Sequence, residues 1–153
     1  MTPTKTEPRT IPGLMTRNPV CVGGGTTAAE LAAVLVENEI SGVPVVDPLE
    51  RVIGVVSRTD LLHRCVEGPA GSPRDSYLSS IAEGFEGEFE ASNLGVVSDF
   101  MNPEPVTAMS HESVADVARR MMEERVHRVI IVDDQLHLLG ILTSLDMLRM
   151  VAT

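Results

Sequence analysis

The apolar residues in the first half of the chain follow two different periods in succession. A stripe with spacings of three and four residues predicts an amphipathic helix. Its members are Ala28, Leu31, Ala32 and Leu35. The β-branched run at 43–46 then predicts a buried strand, and residues 52–56, with a central glycine, predict a second strand. With a short extended segment at 16–22 and a last helix that begins at Ser57, the order is β-α-β-β-α.

The second half of the chain repeats this pattern. The apolar stripe of its predicted helix comprises Val114, Val117, Ala118, Met121 and Met122. Strands are predicted at 129–132 and 138–142, a Pro-containing extended segment at 102–108, and a last helix from Thr143. The strings Thr27-Ala-Ala-Glu30 and Ser113-Val-Ala-Asp116 are typical of capping boxes at the starts of the two amphipathic helices.

The two halves match each other at a spacing of 86 positions, and no gap is needed from Met15 to Leu62. Identical pairs include Met15 and Met101, Pro19 and Pro105, Gly54 and Gly140, and Asp60 and Asp146. The predicted organisation is a tail at 1–9, a first copy at 10–65, a connector at 66–95 and a second copy at 96–152. One copy could not cover both faces of its small sheet, so we expect an α+β, sandwich-like module in which two copies pack with pseudo-two-fold symmetry.

The connector differs from both copies in composition, since it is rich in Gly and Pro and then in Glu. We expect an acidic loop with a short helix around 75–82. A segment that docks a partner through Phe85 and Phe89 is the alternative.

Charge and composition exclude several classes of function. The 153 residues include 12 Lys and Arg against 22 Asp and Glu, a formal net charge of −10, and aromatic residues make up only 3%. This balance repels a polyphosphate backbone, so no nucleic-acid partner is expected. The longest apolar run, residues 31–36, is far shorter than a membrane span. Two cysteines, together with an N-terminus that lacks an apolar signal region, favour a cytoplasmic location.

Motifs for catalysis and for metal binding are lacking in the sequence. His63-Arg-Cys65 has no second pair of ligands at zinc spacing, and Cys21 is interpreted as a small buried apolar residue. No nucleophile is paired with a base, so we expect neither an enzyme nor a resident cofactor or metal. The strings Ser57-Arg-Thr-Asp60 and Thr143-Ser-Leu-Asp146 are typical of capping boxes, and a carboxylate in that first helical turn could also accept hydrogen bonds from ribose.

The duplicated unit resembles the cystathionine β-synthase (CBS) domain, and two such domains in tandem resemble a Bateman module. The first copy carries the strings Met15-Thr-Arg-Asn-Pro-Val20, Ile40-Ser-Gly-Val-Pro-Val-Val-Asp47 and Gly54-Val-Val-Ser-Arg-Thr-Asp-Leu-Leu62. The second carries Val97-Ser-Asp-Phe-Met-Asn102, Val126-His-Arg-Val-Ile-Ile-Val-Asp133 and Gly140-Ile-Leu-Thr-Ser-Leu-Asp146, and is similar to repeats of the AMP-activated kinase γ subunit. The resemblance implies a regulatory module that binds adenine nucleotides (AMP, ADP or ATP) between its repeats, forms a homodimer and signals occupancy to a protein partner.

The resemblance also implies a set of ligand-binding residues. Asp60 and Asp146 would hold ribose, with support from Ser57, Thr59 and Thr143, and Val55 and Ile141 match further positions that line the nucleotide site. Ile40, Ser41, Gly42 and Val126 match the segment that holds the adenine edge, and Thr16 and Val20 match the first strand, which contacts base or ribose. His127 and Arg128 are the candidates for phosphate, because an anionic ligand on a chain of this charge needs a local cation.

The two copies are not equivalent in these residues. Leu145 stands where Thr59 offers a hydroxyl, and copy one has no cation equivalent to Arg128. This asymmetry predicts one favoured nucleotide site or a ligand of little net charge. Two alternatives follow: another adenosyl ligand, such as S-adenosylmethionine or a cyclic dinucleotide, or a structural dimerisation and interaction module in which Asp60 and Asp146 only cap helices.

Overall fold

The computed structural model describes residues 10–67 and 94–152. The tail at 1–9, Thr153, and residues 68–93, which include the helix predicted at 75–82 and the two connector phenylalanines, lie outside the described residues. The described helices are α1 (Ile11–Leu14), α2 (Ala28–Glu37), α3 (Arg58–Glu67), α4 (Val97–Phe100), α5 (Val114–Glu124) and α6 (Ser144–Ala152). The described strands are β1 (Thr16–Arg17), β2 (Val22–Gly23), β3 (Gly42–Val46), β4 (Val52–Ser57), β5 (Thr107–Met109), β6 (Arg128–Val132) and β7 (Leu138–Thr143).

The predicted α+β class and the repeated element order are confirmed. Copy one contains β2-α2-β3-β4-α3 and copy two contains β5-α5-β6-β7-α6. The one-turn helices α1 and α4 lie 86 positions apart and were missed, because four residues are too few to show a helical period. The hydroxyl of Thr10 accepts a hydrogen bond from the Gly13 amide and caps α1, and Pro12 fits the first turn, where an amide hydrogen is not needed.

The described chain divides into two compact units that are not contiguous in sequence. Unit one contains residues 10–20, 46–53 and 104–152, and unit two contains residues 21–45, 54–67 and 94–103. The leading segment of each copy therefore belongs to the unit built around the other copy: α1 and β1 lie in unit one, and α4 lies in unit two. The turn before β4 also belongs to unit one, where the Val52 amide donates to the Leu136 carbonyl and the Leu138 amide donates to the Glu50 carbonyl.

Unit one is built on a four-stranded sheet with the order β1-β7-β6-β5. β7 is antiparallel to β1 and to β6, and β5 is parallel to β6. Its core contains Ile11, Leu14, Ala108, Val114, Val117, Met121, Val129, Ile131 and Leu142. Alternate residues of β6 and β7 thus meet α1 and α5 on one face of the sheet, and this leaves the other alternate residues on the second face.

Unit two is built on a three-stranded sheet with the order β2-β3-β4. Its core contains Val22, Leu31, Leu35, Val43, Val45, Val56 and Val97, contributed by the three strands, α2 and α4. As predicted, hydroxyl groups begin the long helices of both units: Thr27 accepts from the Glu30 amide at 3.1 Å, and Ser113 accepts from the Asp116 amide at 3.1 Å.

Two expectations about burial are wrong. Met122 was placed on the apolar stripe of α5, but its side chain is 75% exposed, because a step of one residue from buried Met121 turns it about 100° around the helix. Cys21 was expected to be buried in a strand, but it is exposed and precedes β2, in which Val22 takes the inward position.

Proline in a sheet is usually confined to an edge strand, to the first residue of a strand or to a bulge, and Pro44 departs from this rule. It is the third residue of β3, the middle strand of the three-stranded sheet, and it is buried. In the second copy the equivalent Ile130 donates its amide to the Val106 carbonyl at 3.0 Å. Proline has no amide hydrogen for such a bond, and β2 starts at Val22, one position later than the start of β5 at Thr107 would predict.

An ion pair ties α5 to the loop that precedes it. The Glu112 carboxylate pairs with the Arg120 guanidinium and accepts from the Met109 amide at 2.7 Å, while Arg120 also donates to the Thr107 carbonyl at 2.8 Å. The Arg120 guanidinium, and next the Met109 amide, lower the pKa of the Glu112 carboxyl. These bonds therefore stabilise the loop in the state in which Glu112 is charged.

Acidification is expected to remove this contribution. A carboxyl whose pKa is lower in the folded chain stabilises it above the ordinary pKa, and this stabilisation is lost as the pH falls through the lowered value. The free energy of unfolding of the wild type should thus fall more steeply below about pH 5 than that of Glu112→Gln. Urea titrations of both proteins across this range measure the difference, and parallel pH profiles would contradict it.

Candidate functional site

Both predicted capping boxes at the strand-to-helix junctions are confirmed. In unit one the Thr143 amide donates to Asp146 Oδ2 at 2.9 Å, and the Asp146 amide donates to Thr143 Oγ1 at 3.1 Å. In unit two the Ser57 amide donates to Asp60 Oδ2 at 2.8 Å, and the Asp60 amide donates to Ser57 Oγ at 3.2 Å. The reciprocal bonds satisfy the first amides of α6 and α3 and hold each carboxylate in one orientation.

The two carboxylates retain capacity to accept further hydrogen bonds. Asp146 is 7% exposed and is the one buried polar or charged side chain among the described residues. Its Oδ1 lies 3.5 Å from Nη2 of Arg149. Oδ2 of Asp60 also accepts from the Ser57 hydroxyl at 2.9 Å, whereas its Oδ1 accepts no hydrogen bond within the described chain. An ionised carboxylate can accept about four hydrogen bonds, so both groups can still bind hydroxyl donors.

In unit one the register of the strands brings four predicted site residues to one face of the sheet. Thr16 of β1 is paired with Ile141 of β7, and Arg128 of β6 is paired with Thr143 of β7. Residues 141 and 143 of β7 point to the same side because successive side chains alternate. The intervening Leu142 belongs to the core on the other face. We call the set Thr16, Arg128, Ile141 and Thr143, with Asp146 at its end, the unit-one face.

Unit two carries an equivalent arrangement. Val56 of β4 and Val43 of β3 enter the core, so Val55, Ser57 and Gly42 lie on the opposite side. Asn102 pairs with Val55 in an antiparallel bridge: the Val55 amide donates to the Asn102 carbonyl at 2.9 Å, and the Asn102 amide donates to the Val55 carbonyl at 2.8 Å. We call the set Gly42, Val55, Ser57 and Asn102, with Asp60 at its end, the unit-two face.

The sequence analysis missed Asn102 as a site residue, although the repeat contains the signal for it. Asn102 lies 86 positions after Thr16 and is bridged to β4 as Thr16 is paired with β7. Because one position holds threonine and the other asparagine, their equivalence cannot be read from identical residue types alone.

The residues predicted to frame adenine do not all lie on these faces. Ile40 and Ser41 line a pocket of about 460 Å³ on the helix side of unit two, together with Leu35, Val36, Glu39 and Arg58. Val126 and His127 line a pocket of about 500 Å³ on the helix side of unit one, together with Met121, Met122, Arg125 and Ser144. We call these the first-copy pocket and the second-copy pocket. The backbone here anchors the last helices, since the Ser41 carbonyl accepts from the Arg58 amide and the His127 carbonyl accepts from the Ser144 amide, both at 2.8 Å.

The two residues predicted to bind phosphate therefore lie on different surfaces of unit one. His127 is exposed, precedes β6 and lines the second-copy pocket, whereas Arg128 is half-buried in β6 opposite Thr143. Consecutive residues of an extended chain point to opposite sides, so one anion cannot use both side chains on one sheet face. Gly42 stands in the unit-two face where Arg128 stands in the unit-one face.

Four further residues of interest lie apart from the two faces. Val20 is exposed, after the end of β1 and outside any strand, and Thr59 is exposed in the first turn of α3. Arg58, whose direction the sequence did not indicate, lines the first-copy pocket. Arg17 lines another pocket of unit one, about 370 Å³, with Asn18 and Ser110.

The described residues offer few features that suit metal binding, nucleophilic catalysis by a thiol or membrane insertion. No group of three or more His, Cys, Asp or Glu side chains within 10–67 and 94–152 could hold a metal ion. Burial raises the pKa of the Cys65 thiol, which keeps that sulfur protonated and a poor nucleophile. In the same residues no helix combines the length and the apolar character that a membrane span requires.

Comparison with known proteins identifies the family. The model of the CBS domain matches residues 10–67 and 97–153. The chloroplastic CBS domain-containing protein CBSX1 of Arabidopsis thaliana is 30% identical over 131 residues, covering 81% of this chain and 55% of that protein. The crystal structure of CBSX2 in complex with AMP, also from Arabidopsis thaliana, aligns with a TM-score of 0.72 at 28% identity and covers 94% of this chain and 96% of that one.

A third relative is the 5'-AMP-activated protein kinase subunit gamma-3 of Homo sapiens, 28% identical over 116 residues, which cover 76% of this chain and 21% of that subunit. The fold and its two equivalent faces define a duplicated α+β module. The chain belongs to the CBS domain family, with two copies of the domain. It spans between 55% and 65% of the length of the two chloroplastic relatives.

Proposed function

We propose that this chain binds an adenine nucleotide, AMP, ADP or ATP, on the unit-one face, and that it acts by binding and not by catalysis. One observation carries the proposal: a buried carboxylate, Asp146, keeps acceptor capacity at the end of a sheet face that also presents an arginine. CBSX2, 28% identical over nearly the whole chain, has been crystallised with AMP, which supports an adenosine-containing ligand.

Each residue of the unit-one face has a role that its chemistry suits. The Asp146 carboxylate accepts hydrogen bonds from the two ribose hydroxyls, and the α6 N-terminus beside it favours a nearby anion. The guanidinium of Arg128 binds the phosphate with a planar pair of donors. Ile141 supplies apolar surface for the adenine ring, and Thr16 adds a hydroxyl beside it.

Unit two favours a different ligand class. Its face repeats the carboxylate and hydroxyl of Asp60 and Ser57, but Gly42 replaces the arginine. The unit-two face therefore has a carboxylate that could accept from ribose, but glycine stands where the unit-one face has the guanidinium proposed to bind phosphate. An adenosyl ligand without a phosphate, such as S-adenosylmethionine, is therefore the second candidate, and we assign it to the unit-two face.

The proposal includes an output. Ligand binding is expected to change how the chain associates with a second copy and with a regulated protein partner, by no more than the ligand's difference in affinity for the two states. The rival function is a structural interaction module, in which Asp60 and Asp146 only cap helices and no ligand binds.

Removal of the arginine tests the nucleotide assignment. Thermal unfolding of the wild type and of Arg128→Ala is followed with adenosine, AMP, ATP, S-adenosylmethionine and cyclic di-AMP. A ligand at 100 times its dissociation constant stabilises the folded chain by about 2.7 kcal/mol. AMP and ATP should stabilise the wild type, and Arg128→Ala should lose most of this effect, about tenfold or more in affinity, while it keeps the affinity for adenosine.

The matched control is Arg119→Ala, because Arg119 is an exposed arginine of the same unit whose ion pair with Asp116 lies on α5, away from the sheet. It should bind AMP like the wild type. Equal losses for adenosine and AMP in Arg128→Ala would remove Arg128 from the phosphate role. A wild type that no ligand stabilises would favour the structural module.

A further inference from the structure

A pocket of unit one that lies apart from the unit-one face is built from both copies of the domain. Its volume is about 370 Å³, which lies in the lower part of the range typical of small-molecule sites. It is lined by Pro12, Met15, Arg17 and Asn18 from the leading segment of copy one and by Ser110, Leu138 and Leu139 from copy two. The pocket therefore exists only because α1 and β1 pack on the sheet of the other copy. We call it the β1 pocket.

The β1 pocket lies on the side of β1 opposite to the unit-one face. Thr16, paired with Ile141, belongs to the unit-one face, and Arg17, paired with Gly140, is the next residue of the strand. Successive side chains of a strand point to opposite sides, so Arg17 enters the β1 pocket and not the nucleotide site. A ligand in the β1 pocket thus contacts none of the side chains assigned to AMP.

Three lining side chains offer hydrogen-bond donors: the guanidinium of Arg17, the amide of Asn18 and the hydroxyl of Ser110. Within residues 10–67 and 94–152 none of the three side chains forms an ion pair or a hydrogen bond. No carboxylate lines the pocket, and that of Glu112, two residues after Ser110, is paired with Arg120. The pocket therefore presents one fixed positive charge and two neutral donors that an anion can use.

The rest of the lining is apolar. It consists of Pro12, Met15, Leu138 and Leu139. A carboxylate carries a single charge and can accept two parallel hydrogen bonds from one guanidinium. A phosphate monoester carries about −1.5 to −2 charges at pH 7, which a single cation does not balance. One arginine beside an apolar wall is therefore suited to a monocarboxylate with an apolar chain.

The equivalent positions of the other copy show that the fold does not require these donors. The residues 86 positions from Arg17, Asn18 and Ser110 are Pro103, Glu104 and Gly24. The residues 86 positions from Met15, Leu138 and Leu139 are Met101, Val52 and Ile53. The apolar character is thus common to both copies, whereas the cation, the amide and the hydroxyl are present once. This difference favours a ligand-binding role for the three donors over a role in packing.

We propose that the β1 pocket binds a small organic carboxylate with an apolar chain. The Arg17 guanidinium pairs with the carboxylate, and Asn18 and Ser110 donate further hydrogen bonds to it. The chain of the ligand packs against Leu138 and Leu139. This site is additional to the adenine-nucleotide site, and the inference does not depend on nucleotide binding.

A series of simple acids tests the site. Acetate, butyrate and hexanoate are titrated into the ¹⁵N-labelled full chain, and amide chemical shifts are followed by NMR. Hexanoate should shift the amides of residues 15–18, 110 and 138–139 in a saturable way. Affinity should rise about two- to fourfold for each CH₂ group that becomes buried. Hexanamide, which has the same chain but no charge, should bind about tenfold more weakly or less.

Two substitutions separate the charge from the apolar wall, and each has a matched control. Arg17→Gln should lower hexanoate affinity about tenfold or more, whereas Arg119→Gln, at an exposed arginine on α5, should leave it unchanged. Leu139→Ser should weaken hexanoate more than acetate. Ile53→Ser is its control, because Ile53 occupies the equivalent position of copy one, is also 36% exposed and does not line the pocket.

Several outcomes would overturn the proposal. One is the absence of a saturable hexanoate shift at the β1 pocket, and another is equal affinity for hexanoate and hexanamide. Equal hexanoate binding by the Arg17→Gln and Arg119→Gln variants would also overturn it. Shifts confined to residues 128 and 141–146 would place the anion on the unit-one face instead, and the thermal unfolding experiments with AMP decide separately whether that face binds nucleotide.

Discussion

Replacement of Asp146 by alanine is expected to lower AMP affinity by about two orders of magnitude, because two hydrogen bonds to a charged acceptor are lost. The same change removes the acceptor of the Thr143 amide at the start of α6. A lost helix cap of this kind costs about 0.5–2 kcal/mol of folding stability. Isothermal titration measures the first effect, and urea unfolding without ligand measures the second.

A second substitution separates the cap from the ligand contact. The side-chain oxygen of Asp146→Asn can still accept from the Thr143 amide, so the stability should stay near that of the wild type, while the negative charge is lost and ribose is bound less well. A variant that keeps both stability and AMP affinity would show that Asp146 only caps α6. Asp116→Ala is the matched control, because Asp116 occupies the same turn of α5 after Ser113 and is exposed. It should leave AMP binding unchanged.

The second large effect, on stability and on AMP binding, is expected when Gly140 is replaced by alanine. A Cβ added there would lie 2.7 Å from the Met15 sulfur and 2.8 Å from the Thr16 carbonyl oxygen. The sulfur can move, but the carbonyl belongs to β1, which pairs with β7 at this point. Gly140→Ala should therefore lower the free energy of unfolding by about 1–3 kcal/mol and also weaken AMP binding, since it displaces Thr16 from the unit-one face.

Two other glycines serve as matched controls for this experiment. In unit two a Cβ at Gly54 would lie 2.6 Å from the Met101 sulfur and 2.8 Å from the Asn102 carbonyl oxygen, so Gly54→Ala should destabilise the chain similarly but spare AMP binding in unit one. A Cβ at Gly25 meets nothing within 4 Å, and Gly25→Ala should change stability by less than about 0.5 kcal/mol. An unchanged stability of Gly140→Ala would contradict the close approach of β1.

The local parts of the candidate site could be predicted from the sequence. The capping boxes of Asp60 and Asp146 join residues three positions apart, so the residue types and their spacing are enough to predict them. The two central strands predicted in each copy were correct to within one residue at their ends, because β-branched runs flanked by turns are also a local signal. The first extended segments were less accurate, since 16–22 divides into β1 and β2 and β5 begins only at Thr107. The roles of these residues in ligand binding stay predictions.

The division of site residues between surfaces could not be predicted in this way. His127 and Arg128 are adjacent in sequence, and the sequence analysis assigned both to one phosphate. They separate because β6 begins at Arg128 and its core face is set by α5 and by α1, and α1 lies at the other end of the described chain. Asn102 joins Val55 of β4 only through an isolated bridge between residues that are 47 positions apart.

The sequence by itself determined that the chain is a duplicated β-α-β-β-α unit, that the last helix of each copy begins with a capping box that contains an aspartate, and that the copies differ at Arg128 and Gly42. These are properties of residue type and spacing, and a short stretch of backbone is enough to express them. Only the tertiary structure decided that α1 and β1 join unit one and that α4 joins unit two. Only the tertiary structure showed that Glu39 and Arg125 line equivalent pockets. The reason is physical. Burial and strand pairing depend on contacts between segments that are distant in sequence, and no local pattern specifies which distant segments will pack or pair.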